Sequence, residues 1–217
     1  GNLLLGPTAE RVETPDNTET TADGLKTVAE LAKKSVPSVN TRAVITSFSG
    51  VRASEKNGDF IIKESDKIKG LIHAAAIDSP GLSSSAAIAE YIVELLEKSG
   101  LELTENPDFN GTRDDTHAFK KMSDEEKDEY IKQNPAYGRI MCRCETVSEG
   151  EIIDALRRNP KATDIDGVKR RTRAGMGRCQ GGFCMPYVMR LIEKETGKPM
   201  TEITKKGGKS NTVTGRL

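Results

Sequence analysis

The chain has 217 residues, 35% hydrophobic and 30% charged, with 4% aromatic and no Trp. At roughly 150 residues per domain that length predicts one to two domains, and the longest mostly apolar runs, near residues 71–77 and 86–96, fall well short of the roughly 20 residues of a membrane span. Its 33 basic and 33 acidic residues balance overall, but residues 139–217 hold 17 Lys and Arg against 9 Asp and Glu, a surplus of eight positive charges matched by an acidic surplus upstream; two blocks of opposite charge point to two domains.

Gly1 and Asn2 open the chain with no initiator Met and no basic stretch followed by an apolar run. That pattern is expected of a piece processed or cut from a longer cytoplasmic protein, not of a secretory precursor. Residues 1–9 (GNLLLGPTA) read as a short buried strand leaving into a turn at Gly6-Pro7, and residues 10–20 as a loop. Leu25, Val28, Ala29, Leu31 and Ala32 recur at helical spacing from Thr21 until Pro37 stops them. Residues 43–48, 60–62 and 70–76 are strand-like and are expected to form a small antiparallel group.

A turn-rich stretch, Ile77 to Ser85, runs directly into a helix over 86–98, with Gly100 as its stop. Residues 101–121 read as linker. Ser123 with Glu126, and Ser148 with Glu151, have capping-box spacing and predict helices over 123–133 and 148–158. Beyond Asn159-Pro160 lies an Arg-rich segment, then a helix over 187–195, then a Gly- and Lys-rich tail.

All four cysteines fall in the second block, as Cys142-Arg143-Cys144 and, 34 residues on, Cys179-Gln180-Gly181-Gly182-Phe183-Cys184. Disulfides, a zinc site and an iron–sulfur cluster compete for them. A reduced cytosolic chain disfavours disulfides; zinc sites usually show CxxC knuckles and often a His, whereas the two histidines here, His73 and His117, lie outside this block. Four thiolates also suit a [2Fe-2S] cluster. Gly175, Gly177, Gly181 and Gly182 bracket Cys179 and let the backbone bend so that N–H groups face sulfur. Lys169, Arg170, Arg171, Arg173 and Arg178 would offset a cluster charge of roughly −2 oxidised and −3 reduced. Two other readings of that run are a solvated helix face and a nucleic-acid patch, the latter disfavoured by the lack of interleaved aromatics.

Residues 141–184, MCRCETVSEGEIIDAL…DGVKRRTRAGMGRCQGGFC, resemble the [2Fe-2S] domain of the bacterioferritin-associated-ferredoxin type, in the version found at the C-terminus of glycerol-3-phosphate dehydrogenase-like flavoproteins. The resemblance implies a small all-α domain with Cys142, Cys144, Cys179 and Cys184 as cluster ligands. The CxxxxC spacing departs from the CxxC of the ferredoxin itself. In the first block, GNLLLGPTA, SFSGVRAS and IDSPGLSSSAAIAEYIVELL resemble, in that order, the C-terminal half of FAD-dependent oxidoreductases of the D-amino-acid-oxidase type.

That second resemblance implies that Gly50, Gly81, Leu82 and Ser83 contact the flavin and that Arg52, in a GxR motif, takes the substrate's anionic group. Each assignment has a physical basis: a helix N-terminus presents free N–H groups to an anion, and a guanidinium clamps a carboxylate or phosphate through two parallel hydrogen bonds. Read without the resemblance, these are a Gly turn with a Ser cap and a surface arginine. No residue is assigned as catalytic, and His73, on an apolar strand, reads as a hydrogen-bonded core residue. The dinucleotide fingerprint GxGxxG is absent, so the chain alone is expected to bind FAD weakly and to be inactive.

The expected class is thus α+β, with an incomplete flavoprotein region (1–100), a linker with a short helix (101–138), a four-cysteine helical domain (139–200) and a flexible tail (201–217). The implied cofactors are a [2Fe-2S] cluster and, in the full-length protein, FAD. The implied partners are the missing N-terminal FAD-binding region and an electron acceptor, whether quinone, partner subunit or carrier; no nucleic acid is expected. A zinc-bound interaction module and a ferredoxin-like redox regulator are the competing functions.

Overall fold

The protein is described by a computed structural model over residues 2–112 and 119–215. Gly1 and His117 therefore lie outside the described residues. The chain forms two compact units, Gly1–Gly111 and Thr112–Leu217, within the expected α+β class.

In the first unit, α1 (Ala22–Ser35) starts where the Thr21 side chain accepts from the Gly24 N–H, and Lys33 and Lys34 complement its C-terminal dipole. β1 (Ile61–Glu64) and β2 (Ile72–Ala75) pair antiparallel, with Lys63 opposite His73. Gly70, at a φ of 81°, turns the chain between them and donates its N–H to the Glu64 carboxylate. α2 (Gly81–Lys98) packs on this ribbon; it starts five residues earlier than its apolar periodicity suggests.

Two expected strands are absent among the described residues: residues 2–9 and 44–48 are irregular. Their composition is strand-like, yet no other segment of the unit offers them a hydrogen-bonding ladder, and a strand cannot form without one. Gly81 alone is buried among this unit's described residues, while Leu3, Leu4, Phe48 and Leu82 are 74–93% exposed. The unit has secondary structure without a core.

The second unit is the opposite case. α3 (Asp124–Gln133) and α4 (Glu149–Arg157) begin with the capping boxes of Ser123 with Glu126 and Ser148 with Glu151. β3 (Ile140–Cys142) and β4 (Val147–Ser148) form a two-stranded antiparallel ribbon, so the four-cysteine unit is not purely helical. The Arg-rich segment forms a helix of its own, α5 (Ile165–Thr172), capped by Asp164. α6 (Met185–Thr196) follows the last cysteine. Ile152 of α4, Val168 of α5 and Ile192 of α6 are fully buried against one another's helices in a single cluster that also contains Cys142 and Cys184.

The tail is folded back, contrary to the flexible segment expected from its Gly and Lys content. Ile203 is buried, Thr204 and Lys205 accept the N–H groups of Ile165 and Asp166, and Lys205 pairs with Asp166 at 2.9 Å. One buried apolar side chain and one ion pair to α5 outweigh the solvation of its neighbours.

Tyr137 stands over the start of α4: its hydroxyl donates to Asp154, and a Cβ on Gly150 would lie 2.4 Å from its ring. Gly150→Ala is therefore expected to destabilise the second unit by about 1–3 kcal/mol through overpacking, measured as a lowered urea midpoint with unchanged slope. An unchanged midpoint would mean that the ring moves aside freely.

Candidate metal centre

Three structural devices position the four thiols within the second unit. Cys142 ends β3 opposite Val147, and Cys144 follows in the turn of the ribbon. Cys179 lies in the loop between α5 and α6, and Cys184 is the residue from which α6 starts. The loop needs tight bends, at Gly175 (φ 86°), Gln180 (φ 48°) and Gly181 (φ 91°), and the Gln180 amide stitches it by donating to the carbonyls of Met176 and Gly177.

Gly177 decides how closely the two cysteine segments approach. A Cβ there would lie 2.3 Å from the Cys144 Cβ, so only glycine lets the loop backbone lie against the ribbon turn. The Sγ atoms of Cys144 and Cys179 are 3.8 Å apart, and Cys142 and Cys184 lie in the same core cluster. The pairs differ in burial: Cys142 and Cys184 are in the core, Cys144 is exposed and Cys179 half-buried.

The electrostatics follow the same division. Backbone N–H groups of Phe183, Gly181 and Gly182, with the Cys144 thiol, hold the Cys179 thiol below its ordinary value, those of Phe183 and Gly181 having the largest effect. Burial, reinforced by the neighbouring Cys142, pushes the Cys184 thiol up to about 12. N–H groups aimed at a sulfur stabilise the thiolate that binds metal, and later the charge on a bridged cluster. Among the described residues no three Cys, His, Asp or Glu side chains converge as around a single ion; the Cys144 and Cys179 thiols meet as a pair. Four free thiols with N–H donors at the sulfur fit a [2Fe-2S] cluster.

In the first unit the candidate flavin and substrate residues lie on two segments. Ser49 donates to the carbonyls of Thr18 and Glu19 at 2.7 and 3.1 Å, anchoring the loop of Gly50 and Arg52. No atom lies within 4 Å of where a Gly50 Cβ would be, and Arg52 is exposed with no ion pair among the described residues. Gly81 is required sterically, since a Cβ would sit 2.5 Å from the Ile77 side chain. Pro80 gives α2 no side-chain cap, and the Ser83 and Ser84 hydroxyls donate back to its carbonyl. The N–H groups of Leu82 and Ser83 are thereby left without partners among the described residues. His73 is half-buried on β2 beside Lys63.

Residues 1–95 match the FAD dependent oxidoreductase family, and residues 140–194 match the BFD-like [2Fe-2S] binding domain. The chain is thus similar to one family in its first block and to the other in its second. Over 99% of its length it is 44% identical to the glycerol 3-phosphate dehydrogenase of Caloramator mitchellensis, covering 45% of that protein. It is 30% identical over 83% of its length to the anaerobic glycerol-3-phosphate dehydrogenase subunit A1 of Haloferax volcanii, covering 36% of it. The hydrogen cyanide synthase subunit HcnB of Pseudomonas aeruginosa is 46% identical over 59 residues, 27% of this chain and 12% of that protein. The chain thus spans less than half the length of these relatives. No solved structure matches it significantly. No helix among the described residues is long and apolar enough to cross a membrane.

Beside the candidate site lies one residue that the sequence does not mark, Glu145, and a pairing that it does not show. Glu145 and Arg173 form an ion pair at 2.9 Å beside the cysteines; Arg173 was visible only as one of a run of cations. Two other members of that run are spent elsewhere, Arg170 towards Asp164 and Arg171 on the carbonyls of Pro160 and Gly167.

In the metal-free protein, iodoacetamide at pH 7 is expected to label Cys179 well ahead of Cys184, read by peptide mass spectrometry. Equal labelling would contradict the N–H cradle. Cys184 also makes stability depend on pH. Its thiol is raised in the folded state above an unfolded value of about 8.5, so its contribution is complete below that pH and is lost as pH rises towards 12. The metal-free unit should unfold at lower urea at pH 10 than at pH 8.

Proposed function

We propose that the chain is the C-terminal part of an FAD-dependent dehydrogenase that oxidises glycerol 3-phosphate, or a small 2-hydroxy acid, and that its four-cysteine unit relays the electrons to an acceptor. The observation that carries this reading is the 44% identity across both blocks to one glycerol 3-phosphate dehydrogenase, which joins the flavoprotein region and the BFD-like region in the same order. When bound, the flavin supplies two-electron acceptance and the cluster one-electron transfer, which is the reason to join them.

The residues of the chain have definite tasks in this reading. Arg52, exposed and unpaired, binds the substrate's phosphate or carboxylate in a bidentate clamp. The open space over Gly50 admits a cofactor against the backbone, and the free N–H groups of Leu82 and Ser83, with Gly81 shaping the turn, face the anionic edge of the flavin. Cys142, Cys144, Cys179 and Cys184 hold the cluster.

The bare apolar side chains of the first unit support a further part of the reading. Leu3, Leu4 and Phe48 are more than 70% exposed, an arrangement that calls for additional protein to cover them. We assign that role to an N-terminal FAD-binding region of the same polypeptide, without which this chain is inactive. A cytoplasmic setting belongs to the same reading, because cluster thiols must stay reduced. The acceptor is a quinone, a partner subunit or a carrier.

An anaerobic visible spectrum with iron, sulfide and zinc analysis tests the cluster. About two irons and two sulfides per chain, bleached by dithionite, are expected, and Cys179→Ser should abolish their incorporation while leaving the first unit unchanged. Stoichiometric zinc with no visible band after reconstitution would make the unit a structural four-thiolate module. In the full-length enzyme, Arg52→Ala should raise KM strongly, a loss of about 2–4 kcal/mol for a severed charged pair. An unchanged KM would remove Arg52 from the substrate site.

A further inference from the structure

Two helices of the second unit end on a residue in the left-handed conformation, and they use different residues to do so. α6 ends at Gly197, with φ 73° and ψ 0°, the ordinary solution because glycine has no Cβ to crowd the neighbouring carbonyl. α5 ends at Arg173, with φ 71° and ψ 2°. The same backbone geometry is here held by a long side chain, under a strain that glycine would avoid.

The side chain has a specific partner. Its Nε donates to the Glu145 carboxylate at 2.9 Å, and that carboxylate is only 11% exposed. Glu145 directly follows Cys144, and Arg173 opens the loop that carries Cys179. Among the described residues Glu145 has no other ion pair. The pair therefore joins the two cysteine segments at a point away from the sulfurs, beside the close approach of Gly177 to Cys144.

We propose that Arg173 is a positioning residue of the metal centre: with Glu145 it latches the Cys142–Cys144 segment to the loop of Cys179 and so holds the four thiols in register for the cluster. This rests on the cluster reading above. It explains why arginine occupies a position at which glycine would relax the backbone.

The test separates this role from plain stability, using the full chain reconstituted anaerobically with iron and sulfide. Arg173→Gly relieves the left-handed strain, so the metal-free protein should unfold at the same or a higher temperature than the parent. Cluster loss to a chelator, followed by absorbance, should nevertheless accelerate about tenfold, as for other supporting residues of metal sites. Glu145→Gln should also accelerate loss. The two variants should shift the reduction potential in opposite directions, down where a positive charge is removed and up where a negative one is. Arg173→Lys, which keeps the charge, should recover most of the parent's retention.

Loss rates within about twofold of the parent in both R173G and E145Q would overturn the proposal, since that is the scale of an exposed ion pair with no role in the site. So would a lowered unfolding temperature of R173G with unchanged cluster loss, which would make the pair a stability contact. A parent protein that stays colourless after reconstitution would overturn the cluster reading itself, before any variant is compared.

Discussion

The metal centre depends on the contact between two backbones: the loop at Gly177 lying against the turn at Cys144. The cysteine segments are 34 residues apart in sequence, and closing a loop of that length costs entropy that local contacts must offset. The offset comes from α4, α5 and α6, whose Ile152, Val168 and Ile192 bury completely and fix the frame from which both segments project. Within that frame the absence of one side chain at Gly177 sets the Sγ separation of 3.8 Å between Cys144 and Cys179. Cys142 and Cys184 are themselves members of the core, so folding of the unit and assembly of half of the proposed ligand set are one process.

The first unit has no such frame. α1, the ribbon of β1 and β2, and α2 are all formed, yet none of the helical side chains is buried. Helices and ribbons of this size draw their stability from tertiary packing more than from propensity. A helix such as α2, with Leu82 93% exposed and Tyr91 and Val93 near half-exposed, therefore implies a surface to be covered. Arg52 and the N–H groups at the start of α2 stand open on the same unit, so the groups assigned to substrate and flavin are those that this chain leaves unsatisfied.

How much of this was legible in the sequence varied with the physics. Both capping boxes could be read directly, because Ser and Glu three apart satisfy one another's backbone groups whatever surrounds them. The cysteines and the glycines around Cys179 could be read for the same reason: thiolate ligation and tight bends restrict residue type locally. Strands at 2–9 and 44–48 could not be judged, since a ladder partner is a property of the rest of the protein. The tail could not either, because its fate turned on Ile203 finding the core and Lys205 finding Asp166. α5 was obscured because three of its eight residues are Lys or Arg, which read as a charge run when its buried face is only Ile165, Gly167 and Val168.

The cations of the second block divide into paired and unpaired ones. Four of the block's cations are paired with its acids: Arg139 with Glu149, Arg157 with Glu195, Lys205 with Asp166, and Arg173 with Glu145. Arg143 and Arg178 are exposed and make no ion pair among the described residues, and each adjoins a cysteine of the site. Positive charge left unpaired beside the ligands lowers the cost of adding an electron to a cluster that is already negative. The same charge half-buried within the core would need a partner. Arg143 and Arg178 are exposed, as is Cys144, so water carries the solvation of the two guanidinium groups, and in the proposed cluster reading their charge can act on the site without a buried partner.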